Sequence, residues 1–522
     1  MATVEPVAGG ELLSERVSGG ILPKVLNSFD MVAIFLAIVL FITNAAVIQS
    51  AGPTAFGWWI LGFVAFLIPG AIVTGQLGLM FPGEGSIYLW THKAFGAFWG
   101  FFAGFCAWWP GVLVMVATGV GTLAFLGFVF PGTVGAWNVK VQGLVIIGLI
   151  LLSALLAVQR FRLTQDIVNI VVVLYGLAIF LMLLAGIVHL AGGHAAETNP
   201  AQLSTWAPGN KGGINFTNWT FFGLVILALL GVEVPLNMGV EIREVRSITR
   251  YLFWGSIAVM VAYLVATWAV MVTVPAAGGT SAAPVAVAVA VKISLGTFWG
   301  DLVGLILAGF FLFITVVYNY SFARLIFVSG LDRRLPRAMS HVNAAKVPDV
   351  AVWTQSAIAV LFTLLAFVIL PVASGGANQV DAQTRIYDIL QAAVTVIWCV
   401  SMMVLFVDVL VIMRRYAGVF AARRLASAAN TGVFWVCSVV GALASLIGII
   451  ATLSGSWTAL ISNDAGTVSL FGAQISYGDW FYWVGGIALA SMVVGALLYL
   501  LGRRTAASAE RPGPATLPAE SG

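Results

Sequence analysis

Residues 229–239 read Leu-Leu-Gly-Val-Glu-Val-Pro-Leu-Asn-Met-Gly, inside an apolar stretch that extends from about residue 217 to 241. Pro235 lacks a backbone donor and clashes with the preceding turn, and Gly231 and Gly239 weaken a helix on either side of it. Glu233 therefore lies in a break near the middle of a run long enough to cross a bilayer. We predict an interrupted transmembrane helix here, because unpaired backbone groups at that depth are tolerated only where they line a cavity or bind something.

Eleven further apolar stretches of similar length occupy most of the 522-residue chain. The composition is 61% hydrophobic and 8% charged, with a mean hydropathy of +1.04, which excludes a soluble globular domain. Hydrocarbon cannot satisfy free N–H and C=O groups, so we predict an all-α polytopic membrane protein with 12 transmembrane helices. The predicted spans lie near residues 30–52, 56–81, 96–130, 140–160, 166–192, 217–241, 250–275, 298–325, 349–373, 386–413, 432–455 and 480–502.

The Lys and Arg residues predict the orientation of these spans. Of the 24 Lys and Arg residues, only Lys140, Lys211, Lys292 and Arg385 fall on one side of the predicted membrane. The positive-inside rule then places both termini in the cytoplasm, in a protein of the cytoplasmic membrane whose surroundings are the lipid bilayer. The net charge of +4 is thus a topology signal, and we expect no nucleic-acid partner.

Neither the cysteines nor the histidines predict a metal site. Cys106, Cys399 and Cys437 lie within apolar spans without paired spacing, and the four histidines fall at helix ends or in loops. The sequence also contains no Walker A motif and no His-Glu-x-x-His helix. We therefore expect no metal, no cofactor and no enzymatic activity, although an intramembrane enzyme with an unrecognised set of residues stays open.

The first span carries a second irregularity. Thr43 and Asn44 are poor helix formers at about mid-depth, a position comparable to that of Glu233 in the sixth span. Interhelical hydrogen bonding is the alternative interpretation of such an Asn. Two interruptions five spans apart predict two halves of opposite topology with a site between them. A sequence echo agrees, since residues 96–100 read Gly-Ala-Phe-Trp-Gly and residues 296–300 read Gly-Thr-Phe-Trp-Gly.

Other polar and aromatic residues at depth are candidates for contacting a substrate, with ordinary helix packing as the alternative. Those we select are Trp109, Tyr318, Asn319 and Trp398. Asp408 lies six residues before Arg414, so we expect it to reach the interface and pair there. Glu241, which is followed closely by Arg243 and Arg246, is expected to lie at a solvated helix end.

Two segments carry a resemblance to a known family. Residues 81–90, Phe-Pro-Gly-Glu-Gly-Ser-Ile-Tyr-Leu-Trp, followed by Ala94-Phe95-Gly96, resemble the loop after the second helix of permeases of the amino acid–polyamine–organocation (APC) superfamily. Residues 323–325 and 331–336, with Lys346-Val347-Pro348, resemble the loop between their eighth and ninth helices. Within the superfamily, Gly231-Val232-Glu233 with Glu241 is most similar to the glutamate/GABA antiporter branch. The resemblance covers roughly residues 28–415.

This resemblance implies a 5+5 inverted repeat (LeuT-like) plus two C-terminal helices. The implied organisation is a cytoplasmic N-tail (1–29), a transport core (30–415, with repeats 30–192 and 217–415), two additional helices (416–502) and a disordered cytoplasmic C-tail (503–522). It implies alternating access, with a substrate held between the broken first and sixth helices. The substrate-binding residues carried over are Thr43, Asn44, Ala45, Ala46, Leu230, Gly231, Val232 and Glu233.

The charges at mid-depth narrow the expected substrate. The sequence offers no Lys or Arg near the middle of a span, so a second carboxylate on a substrate would meet no cation. We therefore expect a neutral or cationic amino acid or amine, with Glu233 binding its ammonium group or carrying a coupling proton. Glutamate/GABA antiport and a non-transporting membrane sensor are the alternatives.

Overall fold

The computed structural model describes residues 12–48, 51–199, 219–275, 285–369, 379–425, 430–455, 468–470, 473–475 and 480–509. These residues are helical almost throughout, and ten of the described helices are long and apolar enough to cross a membrane. A short antiparallel hairpin pairs β1 (Val468–Leu470) with β2 (Ala473–Ile475). The helices are α1 (Leu13–Ile21), α2 (Ser28–Val39), α3 (Thr43–Ile48), α4 (Thr54–Met80), α5 (Ser86–Phe95), α6 (Ala97–Val129), α7 (Val139–Ala157), α8 (Phe161–Ala191), α9 (Thr220–Leu229), α10 (Arg246–Thr273), α11 (Ala286–Leu295), α12 (Thr297–Leu331), α13 (Asp349–Ile369), α14 (Gln379–Arg415), α15 (Ala417–Ala422), α16 (Gly432–Ser454) and α17 (Trp480–Ala509).

Ten of the twelve predicted spans correspond to these long helices, and the first and sixth are interrupted as predicted. Two boundaries differ from the prediction. Helix α12 continues to Leu331 rather than ending near 325, and α17 continues to Ala509, into the segment predicted to be disordered. The remainder of the predicted C-tail, 510–522, and residues 1–11 of the N-tail lie outside the described residues.

The predicted N-tail contains a helix, α1, which is attached to the bundle. The Ser14 backbone N–H and hydroxyl donate to the two carboxylate oxygens of Asp332, at 2.8 and 2.9 Å. Glu15 forms an ion pair with Lys93 at 2.8 Å. Helix α1 therefore joins the end of α12 to α5, on the side of the bundle where α2 begins, which we call the N-terminal side.

The sequence echo has a structural counterpart. Gly96 ends α5 with a φ of +86°, and Gly296 ends α11 with a φ of +95°. Each glycine is followed at once by a long helix, α6 or α12, and only a residue without a Cβ adopts such a backbone easily. The same helix–glycine–helix unit thus recurs in both halves, as an internal repeat requires.

Helices α6 and α12 lie against each other in the centre of the bundle. A Cβ on Gly111 would lie 2.4 Å from Cδ1 of Phe322, so the backbone of α6 packs directly against the Phe322 ring of α12 at this point. The Asn319 amide donates to Ser153 at 2.8 Å, and the Gln355 amide donates to the Asn319 side-chain oxygen at 2.8 Å. These buried hydrogen bonds join α12 to α7 and α13 and hold α12 in a fixed position beside the interruptions.

Candidate functional site

The first interruption separates α2 from α3. Helix α2 ends at Val39, and Leu40 leaves the helical conformation with φ −94° and ψ 75°. Helix α3 begins at Thr43, and the Asn44 N–H donates to the Phe41 carbonyl at 2.9 Å. The break therefore comprises residues 40–42, a few residues before the predicted Thr43–Ala46. Those four residues form the first turn of α3, and Ala45 and Ala46 are buried.

Tyrosine hydroxyls replace the hydrogen bonds that this break removes. Tyr318 donates to the Ile38 carbonyl at 3.1 Å, and Tyr175 donates to the Leu40 carbonyl at 2.8 Å. The Tyr263 hydroxyl lies 2.9 Å from the Val39 carbonyl. A buried carbonyl without a donor is costly, so hydroxyls from α8, α10 and α12 make the break possible.

The second interruption lies where the sequence predicts it. Helix α9 ends at Leu229, Leu230 is extended, and Gly231 has a φ of +104°. Two 3-10 turns, Val234–Asn237 and Gly239–Glu241, follow in place of a regular helix. The missing backbone bonds are again replaced by phenols. The Tyr263 hydroxyl lies 3.0 Å from the Ala228 carbonyl, and Tyr251 donates to the Val232 carbonyl at 3.2 Å.

The two interruptions touch. A Cβ built on Gly231 would lie 2.4 Å from Cγ2 of Ile38, and 3.3 Å from the Trp398 ring. Glycine at position 231 is thus required both by its positive φ and by the approach of the α2 end. The structure brings together the two segments that the sequence predicts to form a site.

Glu233 lies at this junction and is buried, with 1% of its surface exposed. The Trp398 indole N–H donates to Glu233 Oε1 at 2.9 Å. Among the described residues, Glu233 Oε2 has no hydrogen-bond partner and no Lys, Arg or His forms an ion pair with this carboxylate. Phe322 lies against the Trp398 ring at 5.6 Å between centroids and stacks on Tyr318 at 4.9 Å. A carboxyl oxygen without a partner, beside aromatic rings, can bind a ligand cation or hold a proton.

Two of the predicted substrate-contacting residues are not brought to this junction. The Trp109 indole donates to Ser491 of α17 at 3.0 Å, so its polar atom is directed to one of the last two long helices. Asn319 belongs to the hydrogen-bond network with Ser153 and Gln355. Both residues lie inside long helices, as predicted, but on helix faces that pack against other helices.

Sequence reasoning missed the burial of three charged residues on the N-terminal side. Glu241 is fully buried rather than solvated, and its Oε1 accepts from Nη2 of Arg324 at 2.8 Å. Arg324 is also fully buried, within α12, and Glu84 lies beside it. The apolar run Leu325–Val328 that follows Arg324 is the signal that could have extended the helix and placed this arginine inside it.

Asp408 also differs from the prediction. It is fully buried and accepts a hydrogen bond from the Thr91 hydroxyl at 2.5 Å. No ion pair to Asp408 occurs within the described parts of the chain, so the expected pairing near Arg414 is wrong.

A cavity of about 170 Å³ with an apolar lining lies elsewhere, between α6, α12 and α13, and does not include Glu233. Over the described ranges, no three His, Cys, Asp or Glu side chains are grouped so as to hold a metal ion.

Comparisons with known proteins give the family and the fold of this chain. A family model described as amino acid permease matches residues 26–456. The chain is 25% identical over 252 residues to a probable agmatine/putrescine antiporter of Lactococcus lactis subsp. lactis, a match that covers 47% of this chain and 51% of that protein. The chain thus spans about half the length of this relative. It is also 25% identical over 337 residues to a branched-chain amino acid permease of Lactococcus lactis subsp. cremoris, covering 60% of this chain and 68% of that one.

A crystal structure of a mutant manganese transporter from Eremococcus coleocola superposes with a TM-score of 0.57 at 12% identity, covering 97% of this chain and 98% of the other. This match supports a LeuT-like fold.

Proposed function

Because this chain belongs to the amino acid permease family, it is a membrane transporter rather than an enzyme, and we propose that it moves an amino acid or related amine by alternating access. Transport is proton-coupled or proceeds by exchange. We assign it to the core at residues 30–415, with both termini in the cytoplasm as the distribution of Lys and Arg predicts.

One observation carries the choice of substrate. Glu233 presents a buried oxygen without a partner at the junction of the two interruptions, and no cation among the described residues neutralises it. An ammonium group on the substrate supplies the missing charge and donors, since buried carboxylates are stable only when they are paired or protonated. We therefore propose a cationic or neutral amine or amino acid. The names of the two bacterial relatives, which refer to agmatine, putrescine and branched-chain amino acids, are consistent with this class.

Glutamate/GABA antiport is the competing candidate. Glutamate adds a second carboxylate, which would be repelled by Glu233 and would meet no basic side chain described at the junction. GABA has one ammonium group and one carboxylate, and it is therefore the member of that pair more compatible with the site.

Counterflow in proteoliposomes tests the proposal. Liposomes loaded with unlabelled compound would be given radiolabelled putrescine, agmatine, leucine, GABA or glutamate outside, and only a carrier accumulates label transiently. We expect flux with at least one amine or neutral amino acid and little with glutamate. Absence of flux across the whole panel, together with no ligand-induced thermal shift, would favour a non-transporting sensor.

Glu233→Gln tests the role of the acid within the same assay. The variant preserves shape but cannot ionise, so we expect a folded protein with a changed pH dependence of flux or changed coupling to a proton gradient. Glu244→Gln is the matched control, because Glu244 lies in the same region of the chain and is exposed. Transport by Glu233→Gln that equals the control at every pH would remove Glu233 from the mechanism.

A further inference from the structure

A second set of buried ionisable groups lies apart from Glu233, on the N-terminal side. Arg324 and Glu241 are fully buried and Glu84 is 3% exposed. Arg324 Nε and Nη2 donate to Glu241 Oε1 at 2.9 and 2.8 Å, and Nη1 donates to the Tyr320 carbonyl at 2.9 Å. Arg324 Nε lies 3.7 Å from Glu84 Oε1, which is beyond hydrogen-bonding distance. The guanidinium group thus pairs with one carboxylate and only approaches the other.

The charges of this cluster do not balance when both acids are ionised. Two carboxylates face one guanidinium group, and an uncompensated buried charge costs several kcal/mol, so such a group is neutralised instead. Glu84 Oε2 accepts one backbone N–H, from Val240 at 3.3 Å. Glu84 Oε1 and Glu241 Oε2 have no hydrogen-bond partner among the described residues. One proton shared by the two carboxyl groups restores the charge balance and supplies an O–H donor that the cluster lacks.

Burial and the neighbouring Glu241 favour the neutral form of Glu84. Burial raises the pKa of Glu84 well above its ordinary value, the neighbouring Glu241 raises this pKa further, and Arg324 opposes both. Arg324 is also the charged group facing Glu241. The next titratable groups around Arg324 are Tyr320 and Asp30. The Tyr320 hydroxyl donates to Gln165, and Asp30 is already paired with Arg162.

The cluster joins the same elements that form the candidate substrate site. Glu241 follows Glu233 by eight residues on the irregular segment after α9, and Arg324 follows Tyr318 by six residues on α12. Glu84 is tied to the irregular segment by the bond from Val240 and by a bridge between Glu84 and Met238. A displacement of this segment from α12 therefore separates Glu241 from Arg324 and exposes Glu84 to water.

We propose that Glu84, Glu241 and Arg324 form a proton-binding site that must hold one proton for the N-terminal side of the transporter to close. The inference rests on the proposed transport function. On opening, the Glu84 O–H bond breaks and the proton passes to water on that side, and on closing the reverse transfer occurs, with no other bond changed. Because the closed state holds the proton more tightly than the hydrated open state, closure is favoured at low pH and is lost as the pH rises through the elevated pKa of Glu84.

Exchange in proteoliposomes at equal pH inside and outside provides the test. Exchange requires repeated closure, so we expect the wild-type rate to fall several-fold as the pH is raised. Glu84→Gln resembles the protonated acid at every pH, and its rate should lose that fall. Glu244→Gln, the exposed control, should keep it. Equal pH profiles for Glu84→Gln and the wild type would overturn the proton site.

Two further measurements separate this proposal from a purely structural ion pair. Thermal unfolding should give the same midpoint for Glu84→Gln as for the wild type, whereas a clear fall in the midpoint, or failure to fold, would show that Glu84 is needed as an anion. Infrared spectra of the wild type should contain a protonated carboxyl band that Glu84→Gln lacks, and the same band in both proteins would overturn the proposal. If the wild type exchanges none of the panel, the proposed transport function fails, while the infrared comparison still decides the proton site.

Discussion

Gly231→Ala tests whether contact between the two interruptions is required. Gly231 has a φ of +104°, and a methyl group there would lie 2.4 Å from Cγ2 of Ile38 and 3.3 Å from Trp398. Left-handed backbone costs an L-residue about 1–2 kcal/mol. Overpacking in a close-packed interior adds about 1–3 kcal/mol. We therefore expect Gly231→Ala to lose about 2–5 kcal/mol of stability, from the sum of these two costs.

Two glycines of the same protein separate the two contributions. Gly296 has a φ of +95° with nothing within 4 Å of a built Cβ, so Gly296→Ala measures backbone strain alone, about 1–2 kcal/mol. Gly309, inside α12, also has nothing within 4 Å and no positive φ, so Gly309→Ala should match the wild type or exceed its stability by up to about 1 kcal/mol. In thermal unfolding of the purified proteins, the midpoint should be highest for Gly309→Ala, lower for Gly296→Ala and lowest for Gly231→Ala.

The same variants would be assayed for counterflow. Relief of the clash at position 231 requires the end of α2 to move away from the segment that carries Glu233. We therefore expect Gly231→Ala to lose flux as well as stability, whereas Gly296→Ala and Gly309→Ala should keep their flux. A Gly231→Ala protein with the midpoint of Gly309→Ala and full flux would refute the packing of the two breaks against each other.

Three further variants test individual contacts. Trp398→Phe removes the donor that orients Glu233, and we expect counterflow of a cationic amine to fall roughly ten-fold; unchanged flux would show that this bond is not needed. Asn319→Leu removes a hydrogen bond from each of the buried Ser153 and Gln355 side chains, so thermal unfolding should show a loss of about 2–4 kcal/mol of stability. The order of substrate preference should not change, and an altered order would return Asn319 to the substrate site. Asp332→Asn weakens the attachment of Ser14 and also the hydrogen bond from Tyr88 of α5. Amide hydrogen exchange should therefore accelerate most in α1 and next in α5, and unchanged exchange in α1 would contradict the role of Asp332.

The two interruptions show what local sequence can and cannot reveal. At the second one, Gly231 and Pro235 surround an intramembrane acid, and each residue disfavours a helix through its own backbone. At the first one, the break falls on Leu40, Phe41 and Ile42, which are apolar and carry no such signal. Its stability comes from tyrosine hydroxyls on three other helices, so its position depends on the fold and not on the neighbouring residues.

The position of a residue within a long apolar helix was predictable, but the direction of its side chain was not. Trp109 and Asn319 lie within long helices as expected, yet they hydrogen-bond to α17 and α13. Hydropathy gives the length of a span, whereas the rotation of a helix is set by packing with neighbours distant in sequence. Arg324 illustrates the same limitation, because its burial depends on Glu84 and Glu241, which lie on other segments of the chain.

The Tyr263 hydroxyl has one proton and three carbonyls within reach: Val39 at 2.9 Å and Phe41 at 3.4 Å at the first interruption, and Ala228 at 3.0 Å at the end of α9. It cannot serve all three fully, so when either chain end withdraws, the phenol bonds to the other end and a carbonyl of the withdrawn end loses its donor. The ammonium group of the proposed substrate carries several donors and can bind that carbonyl. In the proposed transport cycle, substrate binding and the release of one helix end would thus be coupled through one hydroxyl proton.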